Sequence, residues 1–389
     1  MSRPCDACAE ATLVPFADLG DIPVLCGVHW ADAGGAAASP VGRMVLAYCP
    51  SCAYVRNIAF EPARMVYDTT MDTNLHHSPA FQAFSAELVK HLAERFQLSG
   101  RKVLDIGCGQ GEFLRELCHT AGCTGIGYDA MYAGPQGPDP CGAVFHSDYA
   151  PRGAALPEFD MVTSRHWFEH IADPYEFLAD LRQRAGSREV HGYLEVPDAG
   201  YDLSTAGWEV IYPHVSYFDA YPLVRIVERA GWQVEATGTL FGGMFRFIEM
   251  SANAAPREGS PPRPGIAERD RQLAAVGTFP HRHEGERTAW RERIGDLVER
   301  GARPVLWGAG SRGVQFLTFA DADKRLSAVV DVNPRKWGRY LPVTAHQVLT
   351  PQTLTTLQPQ AVIITNPSYR TEIAAQLRDL GVHAELLVA

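Results

Sequence analysis

The sequence has no apolar run approaching the ~18 residues that a membrane-spanning helix requires, and its first residues lack the apolar core of a secretory signal. It also lacks an excess of positive charge, since the formal net charge is −10. Broad electrostatic binding to nucleic acid or to an anionic membrane is therefore not expected. With 46% apolar and 21% charged residues, we expect a globular protein in a reducing cytoplasm.

Cysteine is uncommon, but four of the nine cysteines are regularly spaced. Cys5 and Cys8 form one C-x2-C pair, and Cys49 and Cys52 form another. Two such turns can place four thiolates around one tetrahedral zinc ion, which leaves no open position for chemistry. We therefore predict a structural zinc site at these four cysteines. The other five lack this spacing, and we expect them to pack as small buried residues.

The chain is long enough for two or three domains. After a loop-rich start, apolar residues recur every three or four positions from Phe81 to Phe96, which predicts a helix with Ser78 as its N-cap and Pro79 first. Strand and helix patterns then alternate, as in an α/β fold with a parallel, doubly wound sheet. Residues 251–265 are rich in proline, glycine and charge, and they predict a linker.

Two glycine-rich loops each follow a predicted strand. The first lies in VLDIGCGQG, from Val103 to Gly111, and the next strand ends in Asp129. The second lies in PVLWGAGSRGVQF, from Pro304 to Phe316, and is followed by Asp331. Glycines let a cofactor approach the backbone, and an acid at the next strand end can accept hydrogen bonds from ribose hydroxyls. This arrangement suits nicotinamide cofactors and S-adenosylmethionine (SAM) alike.

The first loop, with an acid inside the strand end, resembles motif I of the class I SAM-dependent methyltransferases. The segments FHSDYA and FDMVTSRHWFEHIADP resemble later motifs of the same enzymes. The first would place an acid near the adenine amino group, and the second would place a strand end beside the methyl group. The resemblance implies a SAM site formed by Asp105, Gly107, Gly109, Gly111, Asp129, Asp148 and His166.

Nearly the whole chain is similar to the three-domain C-methyltransferases of deoxysugar-nucleotide biosynthesis. These enzymes methylate a keto sugar carried on a nucleoside diphosphate, after a base removes the neighbouring proton. The resemblance implies a zinc-binding module over residues 1–75, a SAM-binding methyltransferase domain over 76–250, a linker and helix over 251–290, and a Rossmann-like domain over 291–389. In that last domain, Arg335 and Lys336 are candidates for contacting a phosphate or for a solvated turn.

The sequence departs from this family where a Glu-His pair is expected. Pro213 occupies the position of the acid, whereas His214 is kept, and Met71 stands where a tyrosine would be unsurprising. Histidine can remove a proton at neutral pH, so His214 is our candidate base. We predict that Tyr217, His166 and His170 are donors or orienting groups.

Four alternatives remain open at this point. A non-catalytic binding module would have little reason to retain a complete motif I with its downstream acids. The methyl acceptor could be the nitrogen or oxygen of another natural-product intermediate. An NAD-dependent oxidoreductase would use the second glycine loop, but one such loop is weak evidence. An RNA methyltransferase would need a basic zinc module, whereas residues 1–65 contain four Arg, no Lys and six acids. We expect SAM and zinc as cofactors, a small-molecule substrate, and no nucleic-acid or membrane partner.

Overall fold

Strands and helices alternate along most of the chain. The computed structural model describes residues 4–67, 70–72, 74–253 and 264–389. The strands are β1 Val14–Pro23, β2 Val41–Tyr48, β3 Val55–Asn57, β4 Lys102–Ile106, β5 Thr124–Tyr128, β6 Gly137–Pro138, β7 Ala143–His146, β8 Met161–Arg165, β9 Val190–Pro197, β10 Ser216–Tyr217, β11 Gln233–Leu240, β12 Phe245–Ala252, β13 Pro304–Trp307, β14 Ala328–Val330, β15 Val348–Leu349, β16 Ala361–Ile364 and β17 Glu385–Val388. The helices are α1 Ala33–Ala37, α2 Pro79–Arg95, α3 Glu112–Ala121, α4 Pro174–Ala185, α5 Ala199–Asp202, α6 Ala220–Arg229, α7 Ile266–Glu299, α8 Ser311–Ala320, α9 Leu354–Leu357 and α10 Arg370–Asp379.

The largest sheet has the strand order β11-β12-β9-β8-β4-β5-β7-β6. Strands β4, β5, β7, β8 and β9 run parallel, while β12 is antiparallel to β9 and to β11. The strand order reverses between β4 and β8, and ligands of open α/β sheets bind at the carboxyl ends of strands beside such a reversal. The predicted α/β class is confirmed, and the first glycine loop follows β4 at this position.

A second parallel sheet near the end of the chain has the order β15-β14-β13-β16-β17. The second glycine loop follows β13, whose neighbours β14 and β16 lie on opposite sides of it. Gly313 packs α8 closely against this loop, because a Cβ atom at that position would lie 2.1 Å from the carbonyl oxygen of Gly308. A glycine is therefore needed where this helix meets its strand.

The N-terminal sheet is shared between distant parts of the sequence. It has the order β1-β2-β3-β10, and β10 comes from the segment that follows His214. Tyr212 packs against Gly42 of β2 so closely that a Cβ atom there would lie 2.3 Å from the tyrosine ring. The segment with the candidate base is thus fixed against the N-terminal part of the chain.

Helix α2 begins as the sequence predicts. The Ser78 side chain accepts a hydrogen bond from the Phe81 amide, and Pro79 is the first helical residue. Phe81, Leu88 and Leu92 are buried along one face of this helix. The predicted cap and apolar stripe are therefore confirmed.

Helix α7 is longer than the sequence pattern indicates. It spans 34 residues and continues through the boundary predicted between residues 290 and 291. Residues 254–263, most of the predicted linker, lie outside the described residues. Among the helices of the described ranges, none is both long and apolar enough to cross a membrane.

Substituting Gly313 tests the contact between α8 and the second glycine loop. Because the obstacle is a backbone oxygen and cannot rotate away, we expect Gly313→Ala to destabilise the C-terminal unit by roughly 1–3 kcal/mol. Gly310→Ala is the matched control, since its Cβ would meet nothing within 4 Å and its φ of −87° suits alanine. Denaturant unfolding of both variants measures the difference. Equal stabilities would contradict the packing role of Gly313.

Candidate active site

The first glycine loop adopts a conformation that few other residues allow. Gly107, Gly109 and Gly111 have φ values of 79°, 56° and 82°. Side chains at Gly107 and Gly111 would also collide with the rings of Trp167 and Phe145. A Cβ at Gly109 would meet nothing within 4 Å, so the backbone there is open to a ligand. The loop offers the close approach that a nucleoside cofactor needs.

Asp129 lies at the end of β5, beside this loop. Its carboxylate accepts hydrogen bonds from the amides of Gly109 and Met131, at 2.8 and 2.7 Å. Burial raises its pKa. Asp105, at the end of β4, accepts a hydrogen bond from the Thr163 hydroxyl, and burial raises its pKa to about 6. Both predicted cofactor residues therefore lie where the strands end.

A cavity of about 260 Å³ opens in front of this loop. Asp105, Gly107, Gly109 and Asp129 line it, together with Trp167. So do His166, Glu169, His170 and His214, which form a histidine-rich wall. The structure thus brings the predicted cofactor loop and three of the four predicted catalytic residues to one chamber.

Three predicted residues, Gly111, Asp148 and Tyr217, lie apart from this chamber's lining. Asp148 is exposed, and its carboxylate accepts a hydrogen bond from the amide of Tyr149, which does line the cavity. Tyr217 is buried, and its hydroxyl donates to the carbonyl of Ile211 at 3.2 Å. Its ring centroid is 6.0 Å from that of His214. Its ring therefore packs near His214, while its hydroxyl is occupied.

His166 is held in a strained position next to a buried carboxylate. Its φ of 53° lies in the left-handed region, which costs a residue other than glycine about 1 kcal/mol or more. Its Nε2 lies 2.8 Å from Oε1 of Glu195, and Arg165 lies 2.9 Å from the same oxygen. Burial would raise the pKa of Glu195, but Arg165 and His166 outweigh burial and hold the pKa at about 2. Glu195 is therefore ionised and orients His166.

Glu169, His170 and His214 form a second cluster on the cavity wall. Nε2 of each histidine lies 4.0 Å from Oε1 of Glu169. Burial raises the pKa of Glu169 well above its usual value, and it lowers the pKa of each histidine to about 3. At neutral pH the two imidazoles are therefore uncharged, and each keeps one nitrogen lone pair.

The position of His170 is fixed by the segment that contains Pro213. Its Nδ1 lies 2.9 Å from the carbonyl oxygen of Pro213. A carbonyl oxygen only accepts hydrogen bonds, so Nδ1 carries the proton and Nε2 carries the lone pair. The hydroxyl of Tyr67 lies 3.2 Å from the same Nδ1. Tyr67 and Met71 both line the cavity, so an aromatic hydroxyl is present near the position where the sequence has Met71.

The second glycine loop differs from the first in its charge. Asp331 accepts from the amides of Ala309 and Asn333, as Asp129 does from its own loop, but Nζ of Lys336 also lies 3.1 Å away. Burial alone would raise the pKa of Asp331, yet Lys336 and the amides hold it below its usual value. With three donors already in place, Asp331 is a poor partner for ribose. This argues against an NAD site.

A second cavity, of about 200 Å³, lies against this loop. Gly308, Gly310 and Ser311 line it, together with Tyr369. Arg312 also lines it and forms an ion pair with Glu209, another lining residue. Asn74, Leu75, Glu209, Phe245 and Ser311 line both cavities. The two cavities are therefore neighbours.

The four spaced cysteines meet, as their spacing predicts. Cys5 Sγ lies 3.5 Å from Cys52 Sγ, and Cys8 Sγ lies 3.6 Å from Cys49 Sγ. All four are buried and free of disulfides. Bonds of ~2.3 Å to a tetrahedral zinc ion require sulfurs about 3.8 Å apart. The cluster therefore has the donors and the spacing of a closed metal site.

Several residues of the chamber could not be assigned from the sequence. Glu195 had a local signal, because an acid inside the apolar strand YLEVP has to find a buried partner. Tyr67 and Trp167 had no such signal, since their roles depend on distant segments. Glu169 lies within the motif FDMVTSRHWFEHIADP, but the motif by itself predicts no role for this side chain.

Comparison with known protein families gives two separate matches along the chain. Residues 76–237 match the family model of a methyltransferase domain. Residues 266–387 match that of a C-methyltransferase C-terminal domain. Among curated proteins, the ubiquinone biosynthesis O-methyltransferase of Thiobacillus denitrificans is 28% identical over 182 residues, which make up 41% of this chain and 76% of that protein.

Similar solved structures cover less than half of the chain. A SAM-dependent methyltransferase from Mesorhizobium loti has 16% identity and a TM-score of 0.33, over 42% of this chain and 99% of that one. Magnesium protoporphyrin IX methyltransferase from Synechocystis PCC 6803, with bound SAH, has 17% identity and a TM-score of 0.34, over 44% of this chain and 84% of that one.

The two family matches fall on the two glycine loops. The methyltransferase match contains the loop after β4 and the histidine-rich wall of the chamber. The C-methyltransferase C-terminal match contains the loop after β13. From this sheet order and these matches, the protein is a SAM-dependent methyltransferase with the class I α/β fold.

Proposed function

We propose that the protein methylates a carbon atom of a keto-deoxysugar carried on a nucleoside diphosphate. The observation that carries the proposal is the shared chamber, because the first glycine loop and an uncharged His214 both line it. The C-methyltransferase C-terminal match supports a carbon acceptor. Both a methyl donor and a base are needed for that reaction, and the chamber has room for both.

We assign SAM to the glycine-loop side of the chamber. Asp129 would accept the ribose hydroxyls, since no lysine or arginine among the described residues lies within ion-pair distance of it. Asp105, Gly107, Gly109 and Gly111 would shape the rest of the pocket, with His166 near the methyl group and Asp148 near the adenine. SAM supplies an activated methyl group when bound, so the protein's task is alignment.

His214 is the residue we assign to the proton. A carbon next to a carbonyl group must lose a proton before it can attack a methyl group. The proton goes to the free lone pair of His214, and the electrons of the C–H bond form an enolate. The carbon then takes the methyl group, whose bonding electrons stay on sulfur. His170 and Tyr217 would orient His214.

The nucleotide part of the substrate would lie in the second cavity. That cavity shares five lining residues with the chamber, so a long molecule can occupy both. The backbone of the second glycine loop and the start of α8 face it, and such helix starts suit phosphate groups. Arg335 lines the chamber nearby, whereas Lys336 is buried against Asp331.

The direct test combines purified protein, methyl-labelled SAM and a panel of nucleoside diphosphate keto-deoxysugars. Mass spectrometry and NMR then locate the label. We expect it on a carbon next to the ketone. A label on nitrogen or oxygen, or transfer only to acceptors without a nucleotide, would contradict this proposal while leaving methyl transfer intact.

We also propose that the four-cysteine cluster holds zinc. The sulfur separations suit a tetrahedral ion, and four thiolates prefer zinc over magnesium or calcium. Four thiolates would fill all the coordination positions of the ion and leave none for a substrate, so the role of the metal would be structural. It would hold the start of the chain against the loop after Tyr48.

Replacing Asp129 tests the placement of SAM. Asp129→Ala removes hydrogen bonds to a charged acceptor, each worth ~1.5–3 kcal/mol, so the dissociation constant should rise by at least about tenfold. Asp331→Ala is the matched control and should leave it nearly unchanged. Calorimetry distinguishes the two. The reverse pattern would mean that SAM binds at the second glycine loop.

Replacing Cys5 tests the zinc site. Metal analysis of the purified protein should find one zinc per chain, and Cys5→Ser should lower both zinc content and thermal stability, because metal binding is coupled to folding. Cys141→Ser, at a cysteine outside the cluster, should retain the zinc. A wild-type protein without zinc would refute the assignment.

Replacing His214 tests the base. His214→Ala should reduce turnover by ~10²–10⁴-fold, as expected for loss of a general base. SAM affinity should hardly change, since His214 faces the acceptor. Solvent deuterium exchange at the substrate carbon, measured without SAM, should disappear in the same variant. Turnover near the wild-type rate would eliminate His214 as the base.

A further inference from the structure

A weak base needs help at the carbonyl oxygen. With its pKa near 3, His214 removes a carbon-bound proton only if the enolate that forms is stabilised as well. The sequence motif offers no acid at position 213 for this purpose. A second group on the chamber wall must therefore donate to the developing oxyanion.

Glu169 lies where such a donor is needed. Its backbone carbonyl accepts a hydrogen bond from the amide of Val215 at 2.9 Å, and the adjacent His170 contacts the carbonyl of Pro213. These two hydrogen bonds hold residues 168–170 beside the segment that contains His214. Glu169 lines the chamber beside His214, with its Oε1 4.0 Å from Nε2 of that histidine.

No basic side chain compensates Glu169 in the described ranges, where its ion-pair partners within 4.0 Å are two histidines. It is buried, and one carboxyl oxygen, Oε2, has no hydrogen-bond partner there. Burial and the nearby acids Glu209, Glu195 and Asp202 all raise its pKa. Glu195, by contrast, is paired with Arg165. Of these two buried glutamates, Glu169 is the one whose surroundings favour the protonated form.

We infer that Glu169 donates a hydrogen bond to the carbonyl oxygen of the methyl acceptor, in place of the acid that is absent at position 213. This rests on the proposed C-methylation. A ketone oxygen and the neighbouring carbon lie about 2.4 Å apart. Oε1 of Glu169 and Nε2 of His214 are 4.0 Å apart, so a ketone lying beside this pair can place its oxygen near Glu169 and its acidic carbon near His214.

Protons and electrons balance in this arrangement. The proton on carbon moves to His214, and the C–H electrons pass into the enolate. The enolate oxygen is held by the O–H of Glu169, which keeps its proton throughout. An oxyanion accepts this hydrogen bond more strongly than the neutral Nε2 of His170 does. When the carbon takes the methyl group, the ketone is restored.

The same three residues could instead hold a metal ion. One ligand atom from each of Glu169, His170 and His214 lies within 4.8 Å of the others, and each histidine Nε2 is 4.0 Å from Glu169. Two ligand atoms 4.0 Å apart can both reach a zinc ion at ~2.0–2.2 Å, so the experiment has to distinguish a metal ion from a hydrogen-bond donor.

The test uses proton exchange at the carbon of a nucleoside diphosphate keto-deoxysugar, in deuterated solvent without SAM. Loss of one oxyanion donor costs ~10²–10³-fold, so we expect that loss for Glu169→Met and a smaller one for Glu169→Gln, whose amide still donates. SAM affinity should stay within about twofold, since the donor faces the acceptor. Glu249→Gln is the matched control, a buried glutamate that pairs with His91 and Arg95, and its exchange should be unchanged.

A second measurement needs no substrate. The infrared difference between wild type and Glu169→Gln should contain the C=O stretch of a protonated carboxylic acid. Its absence would overturn the inference, as would one bound Mn²⁺ that Glu169→Met abolishes. Exchange at the wild-type rate in Glu169→Met would overturn it too. If the wild type itself exchanges no proton on any sugar while the infrared band is present, C-methylation fails instead.

Discussion

Hydrogen bonds connect the segment from Ile211 to Tyr217 to distant parts of the chain, and the position of His214 in the chamber depends on them. Its strand β10 pairs with β3 of the N-terminal sheet. The amide of Val215 donates to Glu169 in the large sheet's domain. Just before it, the carbonyl of Val210 accepts from Gln315 of α8, in the C-terminal unit. Moving any of the three units would therefore move His214.

The two glycine loops show how one neighbouring charge changes the use of the same backbone. Both loops present amides to an acid at the next strand end, with donor–acceptor distances of 2.7–2.8 Å. Lys336 neutralises Asp331, whereas Asp129 keeps an acceptor for a ligand. The second loop instead forms one wall of the neighbouring cavity. A motif that is shared in sequence thus presents a different charge to a ligand at each loop.

Different surroundings shift the pKa values of two buried glutamates, Glu169 and Glu195, in opposite directions. Arg165 keeps Glu195 ionised, so it can orient His166. Glu169 has no such cation in the described residues and lies near other acids, so its surroundings raise its pKa and favour the protonated form. The proposed C-methylation would use these two carboxyl groups differently, one to orient a histidine and the other to donate a hydrogen bond.

Local patterns in the sequence determined much of the fold. Strand and helix order, the Ser78 cap and the first glycine loop all depend on residues that are close in sequence, where turn and capping preferences act directly. The paired cysteines were also predictable, since each C-x2-C turn orients its own thiolates. The predicted assignments of SAM and zinc to these places remain to be tested by the experiments above.

The tertiary structure alone decided the chemistry of the chamber wall. Glu169 and His214 are far apart in sequence, and no periodicity brings them together; the hydrogen bond between Glu169 and Val215 does. The charge of a carboxyl group is likewise not a property of its residue type, because burial and neighbouring cations set its pKa. The sequence therefore determined which groups are available, and packing decided which of them meet, and in which protonation state.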